Sequence, residues 1–210
     1  MSTKYELRRI NDHHFIVLKD GIQHYNLRFK AKAWSCDCPA LKECKHLAML
    51  PDDVKVKRYP REAIEVAYDA IAPLLFPYKH TIVGSYRRGK ADSKDLDIII
   101  LCSSTDFFVL KLALERVGFD ITAGGDKKFT GTIYGIPCDI DRIDDPNHYA
   151  ASLLYRTGPA AFNIKMRQIA KEKGFMLNEH VVASSEEDIF KMVGMPYIPP
   201  TKRDIPITVR

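Results

Sequence analysis

The sequence predicts an α+β protein with a small β-rich front and a larger mixed part that ends in helices. Three observations predict it. Apolar and polar residues alternate with period two near the front, a nearly continuous apolar run headed by two aspartates lies mid-chain, and from His148 onward apolar residues recur at helical spacing. With 210 residues, 46% of them hydrophobic, the chain can bury one ordinary core or two modest ones. These textures divide it into a front module, 1–58, a central domain, 59–145, and a C-terminal subdomain, 146–210.

In chain order, His14–Leu18 and Tyr25–Phe29 read as short strands with Asp20–Gly21 as the turn between them. Pro60 opens a helix that carries Ile64, Ala67, Tyr68, Ile71, Leu74 and Leu75 on one face and stops near Phe76–Pro77. Thr81–Val83 is a short strand, Gly84 to Lys94 a polar loop, and Leu96–Leu101 an apolar strand. A helix over Phe107–Val117 precedes strands at Phe129–Ile133 and Ile136–Ile143, joined by Tyr134–Gly135. Phe162, Met166, Ile169 and Ala170 form an amphipathic stripe that ends at Gly174, and Glu186–Val193 is a last helix before a Pro-rich, basic tail. There is no internal repeat or low-complexity segment.

The 32 basic side chains against 27 acidic ones leave a net charge of +5, which suits a polyanionic partner such as nucleic acid if the bases cluster. No stretch approaches the roughly 20 apolar residues needed to cross a bilayer, and Met1–Asn11 is polar where a secretory leader is apolar. The expectation is a soluble, intracellular protein, cytoplasmic or associated with nucleoid or nucleus, with no membrane partner. Cys102 and Cys138 stand alone in apolar runs and read as small buried hydrophobes.

Asp95 and Asp97 lie two residues apart at the head of the apolar strand, so both carboxylates project from one face of the sheet. Such a pair repels itself unless a cation sits between. Asp139 offers a third carboxylate from a candidate neighbouring strand, completing an all-oxygen set suited to Mg²⁺ or Mn²⁺ with phosphate oxygens as further ligands. Two such ions stabilise the attacking and leaving oxygens of an in-line displacement, and Asp139 is placed to take a proton from the attacking hydroxyl. The loop just before, Gly84-Ser85-Tyr86-Arg87-Arg88-Gly89-Lys90, supplies a glycine for close backbone approach, a hydroxyl and three cations, all attractive to a triphosphate.

From Gly84 to Leu101 the chain resembles the nucleotide-binding signature of the family X DNA polymerases, the polymerase beta-like nucleotidyltransferases. Gly125–Gly131 is similar to that family's segment near the primer terminus, and Ile136–Ile140 to the strand with its third metal-binding Asp. The resemblance continues through Leu153–Gly158, Phe162-Asn163, Met166-Arg167 and Glu187–Phe190, and covers about Ile64 to Arg203. It implies a nucleotidyltransferase palm, with a mixed sheet flanked by helices, and a C-terminal helical subdomain that binds nucleotide and template. Carried over residue by residue, it implies that Asp95 and Asp97 bind both metals and that Asp139 binds the catalytic one. Gly84, Ser85, Arg88 and Ser93 then hold the triphosphate, Tyr155 and Gly158 line sugar and base, and Asn163 reaches the minor-groove edge. Lys127 and Lys128 contact DNA near the primer, and Arg167 the templating strand.

Three positions depart from the family pattern. Lys94 stands where glycine is usual, Arg156 replaces the phenylalanine of the Tyr-Phe-Thr-Gly turn, and Asp141 stands where arginine is frequent. A charged chain at Arg156 is expected to be a poorer steric wall than a ring, weakening discrimination against ribonucleotides.

Cys36-x-Cys38 and Cys44-x-His46 supply four ligands suited to one structural Zn²⁺, and with four protein ligands the site is closed to catalysis. Phe15 to Leu50 resembles a SWIM-type zinc finger, including the Trp34-Ser35 entry and the Leu47-Ala48-Met49 exit. That resemblance implies binding of DNA or protein, with Lys30, Lys32, Lys42 and Lys45 available to phosphates. Nothing before Pro60 resembles the family's lyase or helix-hairpin-helix segments, so the zinc module is expected to replace their grip on DNA. The expectation is a reduced family X DNA polymerase, monomeric, that adds dNMP from a deoxynucleoside triphosphate to a primer-template or gapped DNA, in repair synthesis. A polymerase of this size is compatible with a viral genome. The alternatives are a template-independent terminal transferase and a catalytically dead, zinc-dependent DNA-binding adaptor.

Overall fold

The computed structural model describes residues 5–11, 14–30, 33–39, 44–51 and 57–205, and the chain falls into two units, Met1–Lys57 and Arg58–Arg210. In the first, β1 (Tyr5–Asn11), β2 (His14–Lys19), β3 (Ile22–Lys30) and β4 (Ala33–Cys36) form an antiparallel sheet in chain order, followed by a single helical turn, α1 (Lys45–Ala48). The turn joining β2 to β3 needs positive φ at both residues, and Asp20 and Gly21 adopt 53° and 82°. Phe15, Val17, Leu27 and Leu50 build the buried core, a small one for a module that must hold four strands. Lys32 and Lys42, expected at phosphates, lie outside the described residues, as do the side chains of Lys30 and Trp34.

The second unit runs β5 (Tyr59–Pro60), α2 (Arg61–Leu75), β6 (Lys79–Ile82), α3 (Gly84–Arg87), β7 (Asp92–Ser93), β8 (Leu96–Leu101), α4 (Ser104–Arg116), β9 (Asp120–Gly124), β10 (Lys128–Ile133), β11 (Ile136–Ile143), α5 (Tyr149–Thr157), α6 (Ala160–Glu172) and α7 (Glu186–Val193). One five-stranded mixed sheet has the order β6-β8-β11-β10-β9, in which only β8 and β11 pair in parallel, and β5 pairs with β7. Helix α2 forms because Ile64, Ala67, Ile71 and Leu75 repeat at helical spacing, and all four are buried completely. Helix α4 starts earlier than the apolar period suggests, because the Ser103 hydroxyl accepts the backbone N–H of Asp106. Helix α7 is capped in the same way by Ser185 and closed by Gly194 in the left-handed conformation, φ 66°.

The sheet is covered on both faces, which is why its central strands are apolar almost throughout. Leu96, Ile98 and Ile100 of β8 and Ile136, Cys138 and Ile140 of β11 share a core with Ile64 and Ile71 of α2 and Phe107, Leu110 and Leu114 of α4. On the opposite face Ile99 and Ile143 pack with Val83 against Tyr149 of α5. Period two then puts Asp97 of β8 and Asp139 and Asp141 of β11 on this second face. A separate cluster of Leu154, Phe162, Met166, Ile169, Ile189 and Phe190 joins α5, α6 and α7.

The polar loop expected from Gly84 to Lys94 contains α3 and β7, both short and held by pairing with distant elements. Strands β1, β4 and β9 were not signalled by alternation, since β1 and β9 are largely exposed edge strands. Among the described residues, no helix is long and apolar enough to cross a membrane.

Candidate active site

Parallel pairing of β8 with β11 sets Asp97 directly beside Asp139, and Asp95 stands one residue before β8. One carboxylate oxygen from each of Asp95, Asp97 and Asp139 lies within 4.8 Å of the other two. Asp139 is buried, and the other two are half-buried. Oxygens that share a Mg²⁺ at about 2.1 Å lie within roughly 4.2 Å of one another, so small side-chain rotations bring these three onto one ion. The donor set is hard and anionic, and it fits Mg²⁺ or Mn²⁺ rather than a soft metal.

Gly84 lies against this group. Its φ is 62°, and a Cβ added there would collide with the Asp97 carboxylate oxygen, so only glycine allows the loop to lie against the acidic pair. Beyond it opens a cleft of about 630 Å³ lined by Gly84, Ser85, Arg88, Asp95, Asp97, Tyr155, Gly158, Asn163 and Arg167. Thus most of the expected nucleotide residues and the expected template residue meet in one cavity. Ser93 does not line it. It is buried behind Ser85, whose hydroxyl donates to the Ser93 hydroxyl at 2.7 Å, because pairing of β7 with β5 turns Ser93 inward.

Tyr155 and Asn163 are coupled, since the Asn163 amide donates to the Tyr155 carbonyl at 2.7 Å, and the Arg167 guanidinium lies 5.6 Å from the Tyr155 ring centre. Lys94 faces the same cavity, with Arg58 and Lys90. Cations outnumber carboxylates along this wall, a distribution that favours a polyphosphate.

Two engagements were invisible in the sequence. Arg88 donates to the Thr157 carbonyl and to Asp204 Oδ1 at 3.2 Å, and Lys90 reaches Asp204 Oδ2 at 2.9 Å, so a carboxylate far along the chain sits on the loop expected to hold triphosphate. Arg156 does not swing freely: its Nη2 meets Asp141 Oδ1 at 2.6 Å, so two of the departures from the family pattern answer each other as an ion pair. Lys127 and Lys128 line a neighbouring cleft of about 300 Å³ with Asp141, Arg142 and Arg156, and Lys128 Nζ stands 2.7 Å from Asp139 Oδ2.

Behind α3, Arg87 makes two contacts with Glu186, at 2.7 and 3.0 Å, and one with Thr157 Oγ1 at 2.7 Å. Arg203 donates to Glu186 Oε1 at 2.8 Å, the oxygen that also accepts the longer Arg87 bond, and is fully buried among the rings of Phe162, Phe190 and Tyr197. Burial alone pushes the Glu186 carboxyl upward, but the two guanidiniums outweigh it and hold the carboxyl below its ordinary value. The loop that carries Ser85 and Arg88 is thereby fastened to α7 and the C-terminal segment.

In the front unit, Cys36, Cys38, Cys44 and His46 converge. Cys38 and Cys44 sulfurs are 3.3 Å apart, and His46 Nδ1 lies 3.7 Å from Cys36 Sγ and 3.6 Å from Cys44 Sγ. Ligands at 2.3 Å on a tetrahedral centre lie about 3.7 Å apart, so these spacings fit one Zn²⁺ with Nδ1 as the nitrogen ligand. Burial pushes the Cys36 thiol up to about 12, and burial, with the neighbouring Lys45 charge, lowers His46. Tyr5 and Tyr25 flank the imidazole, with ring centres 5.3 and 4.7 Å away.

Residues 58–117 match the family described as DNA polymerase beta palm, and residues 152–204 the family described as DNA polymerase beta thumb. The chain is 31% identical over 159 residues to DNA polymerase lambda of Rattus norvegicus, which covers 58% of this chain and 28% of that one. It is 33% identical over 141 residues to DNA polymerase/3'-5' exonuclease PolX of Bacillus subtilis (strain 168), which covers 60% of this chain and 24% of that one. The chain thus spans about a quarter of the length of these relatives.

Proposed function

We propose, from the palm match over residues 58–117 and the thumb match over residues 152–204, that the chain is a family X, metal-dependent DNA polymerase acting at gaps or breaks. The observation that carries this reading is the convergence of Asp95, Asp97 and Asp139 beside the Gly84–Arg88 loop. Asp95, Asp97 and Asp139 would hold two divalent ions, which when bound would neutralise charge at the reacting phosphate and favour deprotonation of the attacking hydroxyl. The residues of the chain supply position. Ser85 and Arg88 orient the triphosphate, Ser93 fixes the Ser85 hydroxyl, Tyr155, Gly158 and Asn163 hold sugar and base, and Arg167 the template. Asp139 accepts the proton of the primer 3′-hydroxyl. Because Asp204 already occupies Arg88 and Lys90, an incoming triphosphate exchanges with that carboxylate.

The front unit is a zinc module that binds DNA and supplements the small palm and thumb. Arg156, held by Asp141 from behind, forms the wall beside the sugar, and this wall admits ribonucleotides more readily than an aromatic one.

Primer extension on gapped and open templates tests the polymerase reading, with Asp139→Asn as the control. Incorporation should fall by about a hundredfold or more in the variant, which loses a direct metal ligand, while duplex binding measured in EDTA is retained or strengthened, Lys128 being released from Asp139. Extension by Asp139→Asn at the rate of the unaltered chain discards the assignment.

A further inference from the structure

The pairing register does not by itself explain where Lys128 goes. On β10 it stands directly across from Asp141, and Thr130 is the residue across from Asp139. The Lys128 ammonium nevertheless crosses the diagonal to Asp139, a reach open to long side chains on antiparallel strands, while Asp141 is held by Arg156 from α5. Its side chain is 36% exposed and that of Asp139 7%, so the ammonium sits at the boundary between a buried metal-ligand carboxylate and the cleft that Lys127 and Arg142 also line. A divalent ion on Asp139 repels an ammonium at that distance. The mobile partner is Lys128, a point charge on a flexible stem. With Arg156 on Asp141, the direction open to it is the cleft, where a backbone phosphate offers the replacement contact.

We propose that Lys128 is a shared cation, which serves Asp139 until a divalent ion and a nucleic-acid phosphate take over its two sides, so that metal and DNA bind cooperatively through it. This deepens the polymerase reading and rests on it for the identity of the polyanion. Lys128 is a positioning residue, and Arg156 keeps it on Asp139 by occupying the nearer carboxylate. Linkage makes the coupling reciprocal: whatever factor the ion gives DNA affinity, DNA gives ion affinity.

The test uses the full chain. Free Mn²⁺ is followed by its paramagnetic resonance signal, with binding that survives in Asp139→Asn subtracted. Affinity for a fluorescent primer-template duplex is measured with Mn²⁺ and with EDTA at equal ionic strength. Lys128→Met should bind Mn²⁺ about fivefold to tenfold more tightly than the unaltered chain and lose the Mn²⁺ stimulation of duplex binding, within the range usual for coupled sites. Lys128→Gln serves if Met disturbs folding, Lys128→Arg should retain the coupling, and Lys127→Met should weaken duplex binding without altering Mn²⁺ affinity. Unchanged or weaker Mn²⁺ binding by Lys128→Met, or equal stimulation in Lys128→Met and the unaltered chain, overturns the proposal. Primer extension by the unaltered chain is scored separately, so absence of that activity marks failure of the polymerase reading and not of the coupling.

Discussion

Replacing Glu186 by Gln keeps the shape of the side chain and removes the one anion between two guanidiniums. Arg203 has no exposure, and its Nη2 has no hydrogen-bond partner among the described residues, so it cannot recover the lost contact from solvent. Arg87 keeps Thr157 and some water, its side chain being 20% exposed. Breaking a buried pair from one side costs about 3–5 kcal/mol. At roughly 2–4 °C per kcal/mol for a domain of this size, Tm should fall by about 6–20 °C. The sign with pH follows from the lowered carboxyl. Its stabilisation is complete above the ordinary carboxyl range and disappears as pH falls through the folded-state value, so the gap between Glu186→Gln and the unaltered chain should close on acidification. Urea unfolding at a series of pH values between neutrality and acid measures both effects. A neutral-pH difference below about 1 kcal/mol, the worth of an exposed pair, or a gap that stays constant with pH, refutes the assignment of Glu186 as the charged centre of this network.

Gly84→Ala should lose most incorporation and about 1–2 kcal/mol of stability, because it combines a left-handed φ with a Cβ driven into Asp97; single-turnover kinetics alongside thermal melts will show whether both fall. Comparison of kcat/KM for matched deoxy- and ribonucleotides should give a modest preference in the unaltered chain that rises in the Asp141→Arg/Arg156→Phe double variant, whereas a several-thousandfold preference at the outset sinks the idea. Metal analysis should find one Zn²⁺ per chain, lost in Cys44→Ser, with affinity for primer-template reduced in the same variant; full DNA affinity without zinc would discard the module as a DNA grip.

Elements that announce themselves by local pattern were legible in the sequence, and those held by distant partners were not. Helix α2 and helix α7 carry their own periodicity and stops, and β8 and β11 carry unbroken apolar faces. The Asp95–Asp97 pair could be read as a metal site because strand geometry alone puts two carboxylates on one face, and the Gly84–Lys90 loop gave that site its phosphate chemistry. Strand β9 was missed because Asp120–Gly124 is exposed and glycine-ended, with its order coming from pairing to β10. Pairing across the fold hid the rest. Asp204 lies 116 residues from Arg88 and Glu186 99 from Arg87, and no local period carries such a contact. Arg156 and Asp141 were each visible as an oddity, and only the packing of α5 against the sheet makes them one feature.

The parallel pairing of β8 with β11 also separates what this protein can change from what it must keep. A parallel neighbour is reached by a crossover, and the crossover here, α4 with β9 and β10, can lengthen or be rewritten at its exposed turns without moving Asp97 relative to Asp139. A slip of one residue within either strand is different, for it would turn a carboxylate toward Phe107 and Leu114 and bring an isoleucine to the metal side. Insertions, tags and affinity handles therefore belong at the exposed Val117–Gly118 turn between α4 and β9, and not at Tyr134–Gly135, a two-residue hairpin that fixes the register of β11 against β10.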